Sequence, residues 1–305
     1  MPPPFETELY VAGPLREPRQ MLAEQEYGGH LSIHDDQTAE KLGFAAGPIE
    51  GPTHFSQFVP LLTELWGSAF LERGCLSAHY QNVCTEGDRV RAFAARPETD
   101  DARSVRIWAE KSDGTPVLTG SATLGPNFPE SELDARMVRL RPPGKLLILE
   151  DLHVGMKSRS VEHVRMDFDQ NMGALYPFSL AQKLEKITEP SPWYTAEGSS
   201  GSPWQRPILP WEMVSVLAQY TSSGFPVKGP AVGLFADQEI KMIAGPLFVG
   251  HSYELEREVV ALSESRRTES YWERTWIRDG ETKELVAEML LNHATLKESY
   301  AGYQK

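Results

Sequence analysis

The chain has 305 residues, 40% apolar and 24% charged, an ordinary balance for a globular protein and enough length for two units of about 150 residues. Its 43 acidic against 30 basic side chains leave a net charge of −13, which repels phosphate backbones and argues against nucleic acid as a partner. The first twenty residues hold no apolar core flanked by positive charge, and no apolar run approaches the ~20 residues of a membrane span. Two cysteines, Cys75 and Cys84, are too few for a disulfide framework, so the expectation is a soluble cytoplasmic protein with no membrane partner.

In chain order, Asp35 and Asp36 precede a short helical run, TAEKLGF, and are placed to cap it. The segment 48–56, PIEGPTHFS, opens a longer helix. Its Phe55, Phe58, Val59, Leu62, Leu65 and Trp66 recur at three- and four-residue intervals, which turns one face to a core. Pro60 lies inside this helix and is expected to kink it near Ser56. Strand-like stretches follow at 75–95, 104–111 and 116–125, the last two joined by the turn Ser112-Asp113-Gly114-Thr115. Residues 126–148 are rich in proline and charge and lack a period. The expected division is a first domain at 1–130, a linker at 131–148 and a second domain at 149–305.

The pattern then repeats. PILPWEMVS at 207–215 matches PIEGPTHFS, with a serine seven places after the isoleucine in both, and opens a helix carrying Met213, Val216, Leu217 and Tyr220 on one face. Strand-like residues 231–262, 269–278 and 284–296 follow, with a hairpin turn at Asp279-Gly280. The Pro-Ile motifs lie 159 residues apart, the Gly87 and Gly250 turns 163, and the two Asp-Gly hairpins 166, near-constant offsets that mean an internal duplication. Each half therefore reads as one long helix covering an antiparallel sheet, an α+β arrangement in which the sheets can pair edge to edge as a pseudo-dimer.

Three segments carry a resemblance. Residues 34–51, HDDQTAEKLGFAAGPIEG, are similar to the signature of MaoC-like (R)-specific enoyl-CoA hydratases, AHYQNVCTEGDRV (78–90) to the family strand ending in Gly-Asp-x-Val, and EDLHVGMKSRSVEHVRMDF (150–168) to the segment that precedes such a domain. The resemblance implies a double hotdog fold, in which two curled antiparallel sheets each wrap a long helix. It also implies hydration or dehydration of acyl-CoA thioesters, a homodimer, and no metal or cofactor.

That chemistry needs a base to activate water at Cβ, an acid to protonate Cα, and donors for the enolate oxygen. The family writes the acid–base pair as Asp-x-Asn-Pro-x-His. Here His34 fits the histidine, but Gly29 stands where the aspartate belongs. In the second half the same spacing holds Glu189 and Tyr194, and tyrosine's reference pKa of about 10 makes it a reluctant proton carrier. The resemblance matches Ser56 to the family's serine on the central helix. It leaves Gly51, Pro52 and Thr53 at the helix entry, with the turn glycine Gly87, as substrate-binding candidates.

Each candidate has a plainer reading. His34 can cap or fasten its loop, Asp36 can cap a helix, and Glu189 and Tyr194 can pack in a proline-rich loop. Ser56 and Ser215 can permit close helix–sheet approach, and Gly51 can serve tight backbone geometry. The pairs His30/His34 and Asp35/Asp36 make a poor metal set, because the residues between the histidines look strand-like. Arg73, Arg89, Arg91, Arg139, Arg141 and Lys145 could meet coenzyme A phosphates or simply be solvated. Three functions stay open: a hydratase or dehydratase using His34 with a carboxylate borrowed from Glu26 or Asp36, a hotdog thioesterase, and a non-catalytic acyl-binding or partner subunit.

Overall fold

A computed structural model describes residues 9–99, 101–222 and 224–303. Residues 1–8 of the N-terminal stretch read above lie outside it. The first half contributes β1 (Tyr10–Ala12), β2 (Leu31–Ser32), α1 (Asp36–Lys41), α2 (Phe55–Trp66), α3 (Ala69–Arg73), β3 (Gly74–Tyr80), β4 (Val90–Ala95), β5 (Ser104–Lys111) and β6 (Pro116–Leu124). After α4 (Glu132–Val138) come β7 (Glu162–Arg165), α5 (Leu180–Leu184), α6 (Trp211–Gln219), β8 (Val232–Met242), β9 (Ser252–Glu264), β10 (Thr268–Asp279) and β11 (Leu285–Leu296).

All the strands join one sheet in the order β1-β4-β5-β6-β3-β8-β11-β10-β9-β7, with β2 alongside β8. Outward from the β3–β8 seam the two sides are copies: β6, β5, β4 and β1 on one, β11, β10, β9 and β7 on the other. The seam is antiparallel and runs from Cys75 opposite Lys241 to His79 opposite Asp237, which realises the edge-to-edge pairing expected of the duplication.

The helices α2 and α6 lie in a single apolar core that both halves share. Phe58 and Leu62 of α2 and Met213, Val216 and Leu217 of α6 are fully buried. Phe70 stacks on Trp211 across the halves, centroids 4.8 Å apart and planes 9° from parallel, a contact of about 0.5–1.5 kcal/mol beyond its buried area. α2 runs unbroken through Pro60, and the irregularity expected near Ser56 lies upstream instead, as a 3₁₀ turn at Gly51–His54. In the β10–β11 hairpin it is Lys283, at φ 64°, that turns through positive φ, not Gly280. Gly280 is needed for space, because a Cβ there would sit 2.7 Å from the Ser252 carbonyl oxygen.

The stretch read as a linker contains α4, which lies across the outer face of the seam. Ser131 and Asp134 form a reciprocal capping box at its start. Ser131 Oγ also donates to Glu239 Oε2 at 2.5 Å, and the Leu133 N–H donates to Ser77 Oγ at 3.0 Å. One short helix thereby bonds to β3 and β8 together. Farther on, Glu269 of β10 accepts the N–H groups of Leu147, Ile148 and Leu149 at 2.8, 3.0 and 2.9 Å, and the Tyr303 hydroxyl. Among the described residues no helix is long and apolar enough to cross a membrane.

Glu269 is fully buried, and at about 1–3 kcal/mol for each stranded buried donor the cost of losing it is large. Glu269→Ala is expected to lower unfolding stability by about 3 kcal/mol in a denaturant titration, with Glu269→Gln intermediate. An unchanged midpoint would mean that these bonds do not hold residues 147–149.

Candidate functional site

A cavity of about 700 Å³ runs from the entry of α2 and the loop before α1 to the C-terminal end of α6 and strands β8, β10 and β11. Both halves line it. Its first-half end is built around His34, Glu50 and Gly51, its second-half end around Gln219, Tyr271 and His293, and Tyr27, Tyr80 and Tyr176 stand on its wall.

His34 is fixed by the turn between β2 and α1: its N–H donates to Ser32 Oγ at 3.1 Å, and Nδ1 lies 2.6 Å from the Pro48 carbonyl oxygen. A carbonyl only accepts, so Nδ1 carries the proton and Nε2 presents the lone pair. Burial lowers the His34 pKa below 6.5, partly offset by that carbonyl and by the negative charge of nearby Glu50. At neutral pH the ring is therefore an unprotonated base.

The carboxylate at this end is Glu50. It is 5% exposed, its Oε1 accepts from Lys183 Nζ at 2.9 Å, and its Oε2 has no hydrogen-bond partner. Lys183 comes from α5, whose start is fixed by a Ser179–Gln182 capping box. Its ammonium also pairs with Glu212 Oε2 of α6 at 2.9 Å and donates to Thr53 Oγ1 at 3.3 Å. Ser56 Oγ of α2 donates to Glu212 Oε1 at 2.8 Å. Burial would strip the proton from Lys183, but Glu212 and then Glu50 outweigh it and push its pKa up. Burial raises the Glu212 carboxyl against the pull of Lys183. One buried cation thus holds a carboxylate from each half.

Gly51 opens the 3₁₀ turn, and a Cβ there would meet the Tyr80 ring at 2.5 Å; the close approach requires glycine. The Tyr80 hydroxyl donates to Gln238 Oε1 at 3.0 Å, and Gln238 Nε2 donates to Ser215 Oγ at 2.7 Å. His54 is buried and its pKa falls to about 4, from burial and then from Lys111 and Lys183, so it stays neutral. Burial pushes the Cys84 thiol up to about 12, which makes it a poor nucleophile.

Of the other candidates from the sequence, Glu26 is exposed and lines the cavity, and the rest go elsewhere. Asp35 caps α1, while Asp36 Oδ1 accepts the Gly47 N–H at 2.8 Å and fastens the loop that leads to Pro48. Glu189 forms a two-bond ion pair with Arg16 at 2.7 and 2.8 Å, and Tyr194 is buried in the core; neither lines the cavity. Gly87 turns at φ 92° away from the cavity wall. Pro52 is buried in the first turn, and Thr53 and Ser56 belong to the Lys183 cluster. The His30/His34 and Asp35/Asp36 pairs form no metal-binding group among the described residues. Glu50 and Lys183 were not singled out from sequence. Glu50 sits inside the quoted Pro-Ile-Glu-Gly motif, but no local pattern links it to a lysine in another half.

No protein-family model matches the chain, and no curated protein matches it by sequence. Solved structures do match it by shape. A MaoC-domain dehydratase from Chloroflexus aurantiacus superposes with a TM-score of 0.59 at 14% identity, covering 96% of this chain and 95% of that one. A conserved hypothetical protein from Mycobacterium tuberculosis with a double hotdog fold gives 0.52 at 11% identity over 87% of each. The fold is a double hotdog. In this double hotdog the shared cavity lies between the two helices' ends and carries base, carboxylate and helix entry at one place.

Removing the central cation exposes what it compensates. Lys183→Met should cost about 3–5 kcal/mol, because two buried carboxylates lose their partner. The penalty should grow as pH rises through the carboxylate range, and adding Glu212→Gln should recover part of it, as read by thermal unfolding.

Proposed function

We propose that the protein hydrates an enoyl thioester of coenzyme A or dehydrates the corresponding hydroxyacyl thioester, with His34 as the proton carrier and Glu50 as its carboxylate. The observation that supports this reading is one cavity end holding a neutral imidazole lone pair, a buried carboxylate with one unpaired oxygen, and a helix entry. Glu50 takes the part expected of the aspartate that Gly29 replaces. Similarity of shape to a MaoC-domain dehydratase adds the fold on which such chemistry is built.

In the hydration direction, His34 Nε2 takes a proton from water as the water oxygen bonds to Cβ. Electron density moves through the thioester to its carbonyl oxygen. The resulting imidazolium, stabilised by the Glu50 carboxylate, returns the same proton to Cα, so the atoms of one water are added and the base is regenerated. Backbone N–H groups and the positive dipole end at the Gly51 turn suit the enolate oxygen. Lys183 is a positioning residue: it holds Glu50 in place without reaching the substrate.

The test follows both loss of the conjugated double bond and release of free thiol from enoyl-CoA substrates. Double-bond loss should fall by about 10²–10⁴ in His34→Ala and by a similar factor in Glu50→Gln. The acid limb of kcat/KM should lie below pH 6.5, because burial disfavours the imidazolium that would disable the base. Thiol release without hydration would replace this reading with thioester hydrolysis, and silence in both assays with saturable acyl-CoA binding would make the protein a binding subunit.

A further inference from the structure

The hydration scheme leaves the second-half end of the cavity without a task, and that end is not apolar. His293 lines it with a side chain 9% exposed, stacked on Tyr271 at 4.5 Å and 6°. Its Nε2 is buried with no hydrogen-bond partner and faces Glu273 Oε2 across 3.9 Å. The other Glu273 oxygen is occupied, accepting from Gln219 Nε2 at 2.8 Å and Thr275 Oγ1 at 3.3 Å, with Arg257 Nε at 3.6 Å. Arg257 is in turn fixed by the Ala218 carbonyl and Glu162. A carboxylate only accepts, so of the two neutral tautomers the one with its proton on Nε2 faces Glu273 favourably, at a distance beyond hydrogen-bond reach. In that tautomer Nδ1 is the acceptor of a ring that lines the cavity.

The backbone is arranged for this. Register shifts interrupt the β8–β11 ladder between Asn292 and His293, and the β9–β10 ladder between Trp272 and Glu273. Bulges re-aim side chains and recur beside binding sites. Two of them fall at the two residues of this pair, and Nε2 is a buried polar atom without a hydrogen-bond partner, a feature that occurs at functional sites. Tyr176 also lines the cavity, and burial first, and then the charges of Glu50, Tyr27 and Glu273, push its hydroxyl well up. His34 and His293 line the same cavity.

We infer that the His293 end is a second polar subsite, which accepts a hydrogen bond from a neutral donor, above all a hydroxyl, on the acyl chain of the ligand. This rests on the acyl-thioester reading of the first end. A carboxylate on the chain would be disfavoured, because the neutral ring offers a lone pair and Glu273 stands behind it. A plain alkyl chain would leave Nδ1 dry and unpaired. Burial keeps the ring neutral, lowering its pKa, while Glu273 pulls the other way.

The experiment uses the full chain with sets of three acyl-CoA thioesters of equal length, plain, terminally hydroxylated and terminally carboxylated, over a ladder of chain lengths. Dissociation constants are measured with the saturated forms and kcat/KM with the enoyl forms. At the length that spans the cavity, the wild-type protein should prefer the hydroxylated chain by at least about tenfold. His293→Phe should erase that preference while leaving kcat/KM for the plain chain within about threefold, and His293→Gln should keep part of it. Hydration of plain chains with no hydroxyl preference at any length overturns this inference and leaves the hydratase reading standing. A hydroxyl preference in binding that His293→Phe removes, with no hydration of any chain, supports the subsite and overturns the hydratase reading. Preference for the carboxylated chain, or no preference in binding or turnover, overturns the subsite.

Discussion

The ion pairs of one buried ammonium organise the middle of this molecule. Lys183 lies on a five-residue helix, with Glu50 from the entry of α2 at 2.9 Å on one side and Glu212 from the first turn of α6 at 2.9 Å on the other. Burying three charges is expensive, and the attraction between them compensates only when the geometry is good and the remaining lone pairs are used. Here Thr53 accepts from the ammonium and Ser56 donates to Glu212, while Glu50 Oε2 is left without a hydrogen bond. The cluster therefore sets the relation between the two helix entries, which decides where Glu50 stands against His34. In the proposed reaction, stability and chemistry are linked through the same atoms.

The outer face of the sheet closes the same seam from the opposite side. α4 bonds to Ser77 of β3 and Glu239 of β8, while on the inner side Gln238 of β8 donates to Ser215 of α6, so the seam is held between a helix on each face. This leaves the space between the helix ends as the place where packing is incomplete. The cavity there is lined by Tyr27, Tyr80, Tyr176 and Tyr271, with His34 and His293 among its polar groups.

Much of the architecture could be read from residue order. The Pro-Ile motifs, the helical stripes and the Asp-Gly turns mark two copies of one module because each expresses a local rule of period or backbone conformation. His34 was legible for the same reason, through the motif around it. Glu50 was not, since its charge comes near His34 only after β2, α1 and the Pro48 turn have folded. Lys183 was hidden more deeply: its partners lie 133 residues away at Glu50 and in the other motif at Glu212. Glu189 and Tyr194 show the converse. They keep the family spacing, yet Arg16 captures the glutamate and the core takes the tyrosine. Spacing places two residues on one loop without deciding what faces them. α4 escaped notice because its helical run is short and sits among prolines, and its stability comes from its cap and from contacts with the seam.

The central claim is that His34 and Glu50 hold one water against an enoyl Cβ. Its most direct test is the electron density of crystals of the protein with a saturated acyl-CoA bound. An ordered water is expected within about 3 Å of both His34 Nε2 and a Glu50 carboxylate oxygen, beside the chain's β-carbon. A Glu50 carboxylate turned away and bound wholly to Lys183, with no water reaching His34, would contradict it.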